Sequence, residues 1–376
     1  MRFNLWEDCN RVPLTELLSF IVDNRGKTVP TAPSGHKLIA TNCVTNNTLF
    51  PVYDKIRYLS EETYQTWFRA HPIPGDILFV NKGTPGRVCL VPDPVDFCIA
   101  QDMIALRADE SKIYPKYLFT VLRSREIQQQ IYNTNVGDVI PHFKKQFLDQ
   151  LLIPIPERSI QESIGDLYYV LSLKAERNKK INDNFQQQAQ AFYASMFIDN
   201  ADPAWIQGHL SDLITVKYGK DHKKLGDGSY PVYGSGGIMR YVERPLYDKE
   251  SVLIPRKGTL NNVMYVNQPF WSVDTMFYTE MKLPNVAKFV YHFVKAKDLA
   301  SMNAGSAVPS MTTDILNAME VTIPSASALE EFESLVAPMY RAMQENDIQS
   351  SKLSELRDAL LPKLMSGEID VANIQL

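Results

Sequence analysis

Two apolar runs, each closed by the same three residues, organise the hydrophobic pattern of this chain. Asp76-Ile77-Leu78-Phe79-Val80-Asn81-Lys82-Gly83-Thr84 and Ser251-Val252-Leu253-Ile254-Pro255-Arg256-Lys257-Gly258-Thr259 both read as buried strands ending in Lys-Gly-Thr, 175 positions apart. Further marks follow in the same order. Gln101-Asp102-Met103 answers Val273-Asp274-Thr275 at an offset of 172. Asn135-Val136-Gly137-Asp138-Val139-Ile140-Pro141 answers Asn303-Ala304-Gly305-Ser306-Ala307-Val308-Pro309 at 168, and Ile155-Pro156 answers Ile323-Pro324 at the same offset. Marks that keep their order while the offset drifts by small loop changes predict an internal duplication of one mixed α/β unit.

Each copy ends in a long helical pattern. In the first, apolar positions recur at Ile164, Leu167, Leu171, Ile181, Phe185 and Phe192; in the second, at Phe332, Leu335, Met339, Leu353, Leu356 and Leu360. This 3-4 spacing is that of a coiled-coil seam. The offset of 168 also places Asn178 on Asn346, both at an inward heptad position, where a polar residue costs stability but fixes register. Two helices docked independently on their own domains, with the asparagines exposed, are the alternative. Pro154 and Pro156 precede the first helix and Pro324 the second, while Pro338 predicts a kink near the second helix's start. The expected organisation is α+β: a globular region over 1–156, a helix over 157–197, a second globular region over 204–324, a second helix over 325–365 and a tail over 366–376. A helix of some 40 residues is about 60 Å long. If the two pair, antiparallel packing with a rough twofold relation between the globular regions is the economical topology.

Composition narrows the function classes. Of 376 residues, 45% are hydrophobic and 22% charged, ordinary values for globular domains and enough for two or three cores. No stretch approaches the roughly 18 apolar residues of a membrane span, and Met1 to Asp8 holds no apolar signal core, so neither a membrane nor export is expected. Cys9, Cys43, Cys89 and Cys98 lack metal-knuckle spacing and fit a reducing cytoplasm. Net charge is −4, from 39 basic and 43 acidic residues. The acidity lies mainly in the two helical stretches and the tail, while both globular regions are neutral to weakly basic, which permits a polyanionic partner without demanding one.

Catalytic hardware is scarce. The sequence has no full Gly-x-x-x-x-Gly-Lys-Ser/Thr phosphate loop, no dinucleotide fingerprint, no His-Glu-x-x-His and no nucleophile elbow, and its six histidines are scattered. Asp93, Glu110 and Lys112 could form the carboxylate-and-lysine set of a metal-dependent endonuclease. The second copy has no counterpart, and Asp109 to Lys112 also reads as a polar turn. The repeated loops suit contact better than catalysis. Lys82, Gly83 and Thr84, with Arg87, and Lys257, Gly258 and Thr259, with Arg256, Asn261 and Asn262, offer close backbone approach, a charge and a hydroxyl to a phosphate. A hairpin turn with a solvated lysine is the plainer reading of either loop alone. Arg25 and Lys27 in the first half correspond to Lys217 and Lys220 in the second, which continues into Lys223 and Lys224. Tyr233, Ser235 and Arg240, in and after Tyr-Pro-Val-Tyr-Gly-Ser-Gly-Gly, and His142, Lys144 and Lys145 complete the candidate DNA-contact surface.

The chain resembles the specificity subunits of type I restriction-modification systems. The marks are Tyr230-Pro231-Val232-Tyr233-Gly234-Ser235-Gly236-Gly237-Ile238, Val252 to Thr259, Val273-Asp274-Thr275 and the ending Leu360-Leu361-Pro362-Lys363-Leu364-Met365-Ser366-Gly367-Glu368-Ile369. The first half departs from the pattern at Phe79 to Lys82 and in its opening loop, as two modules reading different half-sites would. The resemblance implies two target-recognition domains separated by an antiparallel spacer coiled coil. It implies a non-catalytic, cytoplasmic subunit in host defence that reads a bipartite, asymmetric sequence of double-stranded DNA. Two methyltransferase subunits would carry S-adenosylmethionine, and motor-nuclease subunits would use ATP and Mg; this chain would bind no cofactor and no metal itself. Competing classes are the self-contained endonuclease and a coiled-coil scaffold that never touches DNA.

Overall fold

Uninterrupted β-branched and aromatic runs between turn residues form strands in both halves, and the strands come in the same order. The computed structural model describes residues 4–24, 27–134, 141–302 and 310–369. The chain divides into two units, residues 1–180 with 345–376 and residues 181–344.

The first unit contains β1 (Asn10–Pro13), β2 (Leu18–Val22), β3 (His36–Ile39), β4 (Arg57–Leu59), β5 (Ile77–Val80), β6 (Val88–Leu90), β7 (Phe97–Ile99), β8 (Met103–Ala108) and β9 (Leu152–Ile155). They assemble as a four-stranded sheet β2-β8-β5-β6, a three-stranded sheet β4-β3-β7 and the pair β1-β9. β5 is buried at every position because both of its faces are covered, which is why it reads as a continuous apolar run. The helix Pro115–Leu122, with proline at its first turn, lays Tyr117, Leu118, Phe119, Val121 and Leu122 into the main core. Gly165 lets the first long helix pass close to this one, since a Cβ there would stand 2.6 Å from the Tyr117 nitrogen.

The second unit repeats the plan with β10 (Ile206–His209), β11 (Ile214–Tyr218), β12 (Tyr230–Gly234), β13 (Gly237–Val242), β14 (Ser251–Pro255), β15 (Met264–Val266), β16 (Trp271–Ser272), β17 (Met276–Met281) and β18 (Glu320–Ile323). The sheet orders are β11-β17-β14-β15, β13-β12-β16 and β10-β18. The parallel pairing of β3 with β7 reappears in β12 with β16, within otherwise antiparallel sheets. Phe79 faces Ile104 and Ile254 faces Phe277, so the true offset after the Asp102 mark is 173. Asp102 therefore answers Thr275, one residue away from the sequence pairing with Asp274. The last mark keeps its offset: the pair Asn10–Ile155 lies in β1-β9 and Ile206–Ile323 in β10-β18.

The long helices run Arg158–Ala194, continuing into a π-helical turn over Ser195–Asp199, and Ala326–Met365, unbroken through Pro338. They pair antiparallel within each unit. In the first, the Arg357 guanidinium lies 5.4 Å over the Tyr168 ring, and the fully buried Asn178 donates from Nδ2 to the Asn346 carbonyl (3.3 Å), Gln349 Oε1 (2.8 Å) and Ser350 Oγ (3.2 Å). In the second, Asn182 Nδ2 donates to the Met343 carbonyl at 3.1 Å, and Phe197 meets Phe332 edge-on at 5.1 Å. Asn178 is thus the inward polar residue its heptad position predicts, and it meets the main chain of Asn346.

The seam is not the strict heptad of the sequence reading. Ile164, Asn178 and Phe332 are buried, and Leu167, Leu171, Phe185, Phe192, Met339, Leu353 and Leu360 are half-buried. Ile181, Leu335 and Leu356 are exposed. Their places are taken by Tyr168, Ala189, Tyr193, Val336, Tyr340 and Leu361. An α-helix turns 3.6 residues, so a stripe of period 3.5 drifts about 20° per heptad unless the helices supercoil. Here much of each stripe also covers its own globular core: Ile164 and Tyr168 belong to the first, Tyr193, Phe197, Phe332, Val336 and Tyr340 to the second.

Candidate nucleic-acid interface

The Lys-Gly-Thr loops are built by one scheme in both units. In the first, the Asn81 and Lys82 N–H groups donate to the Asp102 carbonyl (3.1 and 3.3 Å), Phe143 N–H donates to the Asn81 carbonyl (2.8 Å), and Lys82 bridges His142. In the second, Arg256 and Lys257 donate to the Thr275 carbonyl (2.9 and 3.2 Å), Met311 donates to the Arg256 carbonyl (2.9 Å), and Lys257 bridges Ser310. Gly83 and Gly258 take φ of 86° and 85°, the left-handed region that a side chain disfavours. Lys82 and Lys257 are exposed, and among the described residues neither ammonium has an acceptor. The backbone is pinned and the charge left in water, which suits a positioning contact to phosphate.

In the second unit a further loop closes on this one. Gly258 abuts Ser235, whose Oγ lies 2.8 Å from where a Cβ would stand, and Asn262 Nδ2 donates to the Ser235 carbonyl at 2.8 Å. The turn joining β12 to β13 therefore rests on the Lys-Gly-Thr loop. Tyr233 is held edge-on to Phe270 and its hydroxyl accepts from Gln268 (3.2 Å). The Arg256 guanidinium sits 5.3 Å over the exposed Tyr218 ring and donates to the Asp274 carbonyl at 3.1 Å. Lys220 is fixed by its backbone, donating to the Ser272 carbonyl and accepting from Trp271 Nε1, with its side chain exposed. Lys223 and Lys224 are exposed as well; the Lys223 backbone N–H, together with the nearby positive charge, holds the Asp221 carboxyl below its usual range. Ile238, Met239 and Tyr241 on β13 are exposed apolar residues beside this turn, and the sequence reading missed them. The signal was present: a hairpin strand with apolar residues at successive positions must leave some of them in water.

Several predicted contact residues are otherwise engaged. Asn261 is a brace, donating to Asp298 (3.0 Å) and accepting from the Ala300 N–H (2.9 Å). Arg240 is tied to the Leu225 carbonyl and Asp227, and Lys145 to Asp23. Lys217 lies inside β11, paired with Tyr278 and 3.6 Å from Glu280, so it is a strand residue and not a loop one. Lys27, Arg87, Lys144 and Thr259 are exposed, and Thr84 and His142 half-buried. Arg25, the stretch 135–140 and the stretch 303–309 lie outside the described residues.

The first unit offers polar groups that its sequence did not mark. Lys37 on β3 reaches Asp96 at 2.5 Å and lies 4.5 Å over the Tyr53 ring, while Tyr53 also donates to Asp96. His36 stacks on Tyr64 at 4.0 Å and Tyr64 on His71 at 4.2 Å. Burial lowers the His71 pKa, so the stack holds a neutral ring there.

The nuclease set does not come together. Lys112 Nζ is taken by the Glu16 carbonyl (2.9 Å) and Asp109 (3.3 Å) in the polar turn after β8. Asp93 lies in the separate turn between β6 and β7. Among the described residues, no group of three or more His, Cys, Asp or Glu is placed to hold a metal ion, and no helix is long and apolar enough to cross a membrane. All four cysteines are free thiols, with Cys43, Cys89 and Cys98 buried.

Comparison with known proteins decides the family. The family described as the type I restriction modification DNA specificity domain matches twice, over residues 18–185 and 204–332. The chain belongs to this family. The specificity subunit of the type I restriction enzyme MjaIX from Methanocaldococcus jannaschii is 20% identical over 80% of this chain and 79% of its own length. That of the Haemophilus influenzae enzyme HindI is 21% identical over 78% of this chain and 86% of its own. The crystal structure of a type I restriction-modification S subunit from M. genitalium shares the fold, with a TM-score of 0.63 at 18% identity over 96% of this chain and 98% of that one. The type I specificity domain thus occurs twice here, and the two matches fall on the two copies of the sheet plan.

Proposed function

We propose that this chain is the non-catalytic, sequence-reading subunit of a type I restriction-modification complex, and that each globular region contacts one half of a bipartite, asymmetric DNA target. One observation carries the reading: the same pinned Lys-Gly-Thr loop, with a left-handed glycine and a free ammonium, occurs once in each of two repeats of one sheet plan. A phosphate contact repeated on two modules positions both on a duplex, and the loops that differ between the modules read different bases. In the second region, the turn at Ser235 and the exposed β13 residues stand beside the phosphate-binding loop, where groove contacts are needed.

Methyltransferase subunits would supply S-adenosylmethionine and extrude the target adenine from the stack. Motor-nuclease subunits would supply ATP- and Mg-dependent cleavage, all in the cytoplasm. Partner subunits closing around the duplex also reconcile a net charge of −4 with a polyanionic ligand.

The test is an exchange. Replacing residues 204–324 with the matching region of a relative, and mapping methylated sites with the methyltransferase present, changes one half of the target and leaves the other intact. Changes in both halves would refute one-region, one-half reading. Purified chain alone, incubated with Mg²⁺ and plasmid, leaves the plasmid uncut; cleavage abolished by Asp93→Ala would favour the endonuclease.

A further inference from the structure

The first unit holds a half-open pocket of about 290 Å³ that the DNA reading does not use, lined among others by Asn46, Arg123, Ser124, Tyr168, Arg357 and Asp358. Its chemistry is one-sided. Arg357 is 5% exposed, yet it bonds only through Nε, to Asp358 at 2.8 Å; its two terminal nitrogens have no acceptor among the described residues. Arg123 is 8% exposed and pairs with no carboxylate; its terminal nitrogens reach the Thr45, Thr48 and Val88 carbonyls and the Tyr168 hydroxyl, and its Nε has no partner. Asn46 uses its Oδ1 to accept from Val88 N–H, which leaves its amide donors toward the pocket. Ser124 Oγ and Tyr168 Oη both act as acceptors already, from Ile127 N–H and Arg123, so their own protons are left to donate.

The helix Arg125–Thr134 also starts here, and Ser124, Arg125 and Glu126 line the pocket at its positive end. Donors outnumber acceptors, and among the residues that line the pocket the guanidinium charge is countered only by Asp358 and by Glu126. Buried charge of this kind calls for an anion with several acceptor oxygens.

We propose that this pocket binds a small phosphoryl oxyanion, either inorganic phosphate or a phosphate monoester, between Arg357 on the second long helix and the helix start at Ser124–Glu126. The occupant satisfies the Arg357 fork and braces the end of the second long helix against the first globular core, where Leu361, Leu364 and Met365 are buried.

The test uses the full chain in phosphate-free chloride buffer at constant ionic strength, titrated calorimetrically with inorganic phosphate and with a nucleoside 5′-monophosphate. The wild type binds at least one of them with Kd below about 1 mM, and Arg357→Met weakens binding by about tenfold or more. Asn46→Asp is the second variant: it keeps an acceptor for Val88 N–H but turns a carboxylate toward the site, and it weakens binding likewise even if the arginine variant folds poorly. No binding by the wild type, or unchanged binding by Asn46→Asp, overturns the site. Acetate binding as tightly as phosphate overturns the phosphoryl assignment. A short duplex that displaces phosphate overturns the small-ligand assignment in favour of a backbone phosphate, whereas a duplex that leaves it bound supports it.

Discussion

Gly258 is where conformation and contact meet in one residue. Its φ of 85° and the Ser235 hydroxyl beside it leave no room for a side chain. Gly258→Ala costs about 1–2 kcal/mol in backbone strain and pushes the Ser235 turn away. Duplex binding by the whole complex weakens and discrimination relaxes in the half-site read by the second region; an unchanged site preference would show that the turn reads nothing. Lys257→Ala keeps the fold, because only its exposed side chain changes. It weakens binding to all sequences alike and lowers the salt dependence by about one unit of slope, measured by titration against several salt concentrations. His292 is a different kind of residue. It is fully buried, bonded to Gln190 (2.8 Å) and Tyr340 (2.9 Å), and burial, helped by Lys295, pulls its pKa down to about 3. In the unfolded chain it titrates near 6.5. Below that pH the unfolded state takes up a proton that the folded imidazole refuses, so stability is full above about pH 6.5 and falls as pH drops toward the folded value. Between pH 7.5 and 5 this group costs about 2 kcal/mol, which urea unfolding of the wild type against His292→Gln would register as a shallower acid loss in the variant.

At the scale of elements, the strands and helices were legible because their signals are local. An apolar run bounded by turn residues gave β5 and β14, and two long amphipathic stretches gave the long helices. The inner faces of those helices were less legible. A heptad frame laid on the sequence assigns Ile181, Leu335 and Leu356 inward, yet all three are exposed, because the stripe follows the 3.6-residue turn and the globular cores it must cover. The candidate contacts divide in the same way. Lys82 and Lys257, marked by repetition, are exposed, whereas Asn261, Arg240, Lys145 and Lys217 are polar residues that the fold spends on its own loops and strands. Whether a side chain faces water or a neighbouring carboxylate depends on tertiary geometry that spacing does not encode. Asn178 stood out in the sequence because a polar residue at an inward position contradicts its surroundings, and it is buried. Its Oδ1 has no partner, so Asn178→Leu removes a buried unsatisfied acceptor and adds apolar contact. Stability should rise by about 1 kcal/mol in urea unfolding. A drop would mean that its three donated bonds matter more than the missing fourth contact.

For the molecule as a whole, the repeated unit turns a local question into one about length. If each globular region reads half of the target, the gap between halves must be set by what joins the regions, and the joining elements are the long helices Arg158–Ala194 and Ala326–Met365. Antiparallel pairing makes this testable, because equal deletions at facing levels keep the pairing in phase. The facing level is marked by Asn178 with Asn346 and by Asn182 with Met343. Removing one heptad around each of these levels shortens the paired stretch by about 10 Å, close to three base pairs of duplex. The expected outcome, read by mapping methylated sites with the partner methyltransferase, is a target whose two halves keep their sequences while the gap between them contracts. Removing a heptad from one helix alone breaks the pairing and should abolish modification. An unchanged gap after the double deletion would take the spacer role away from the helices.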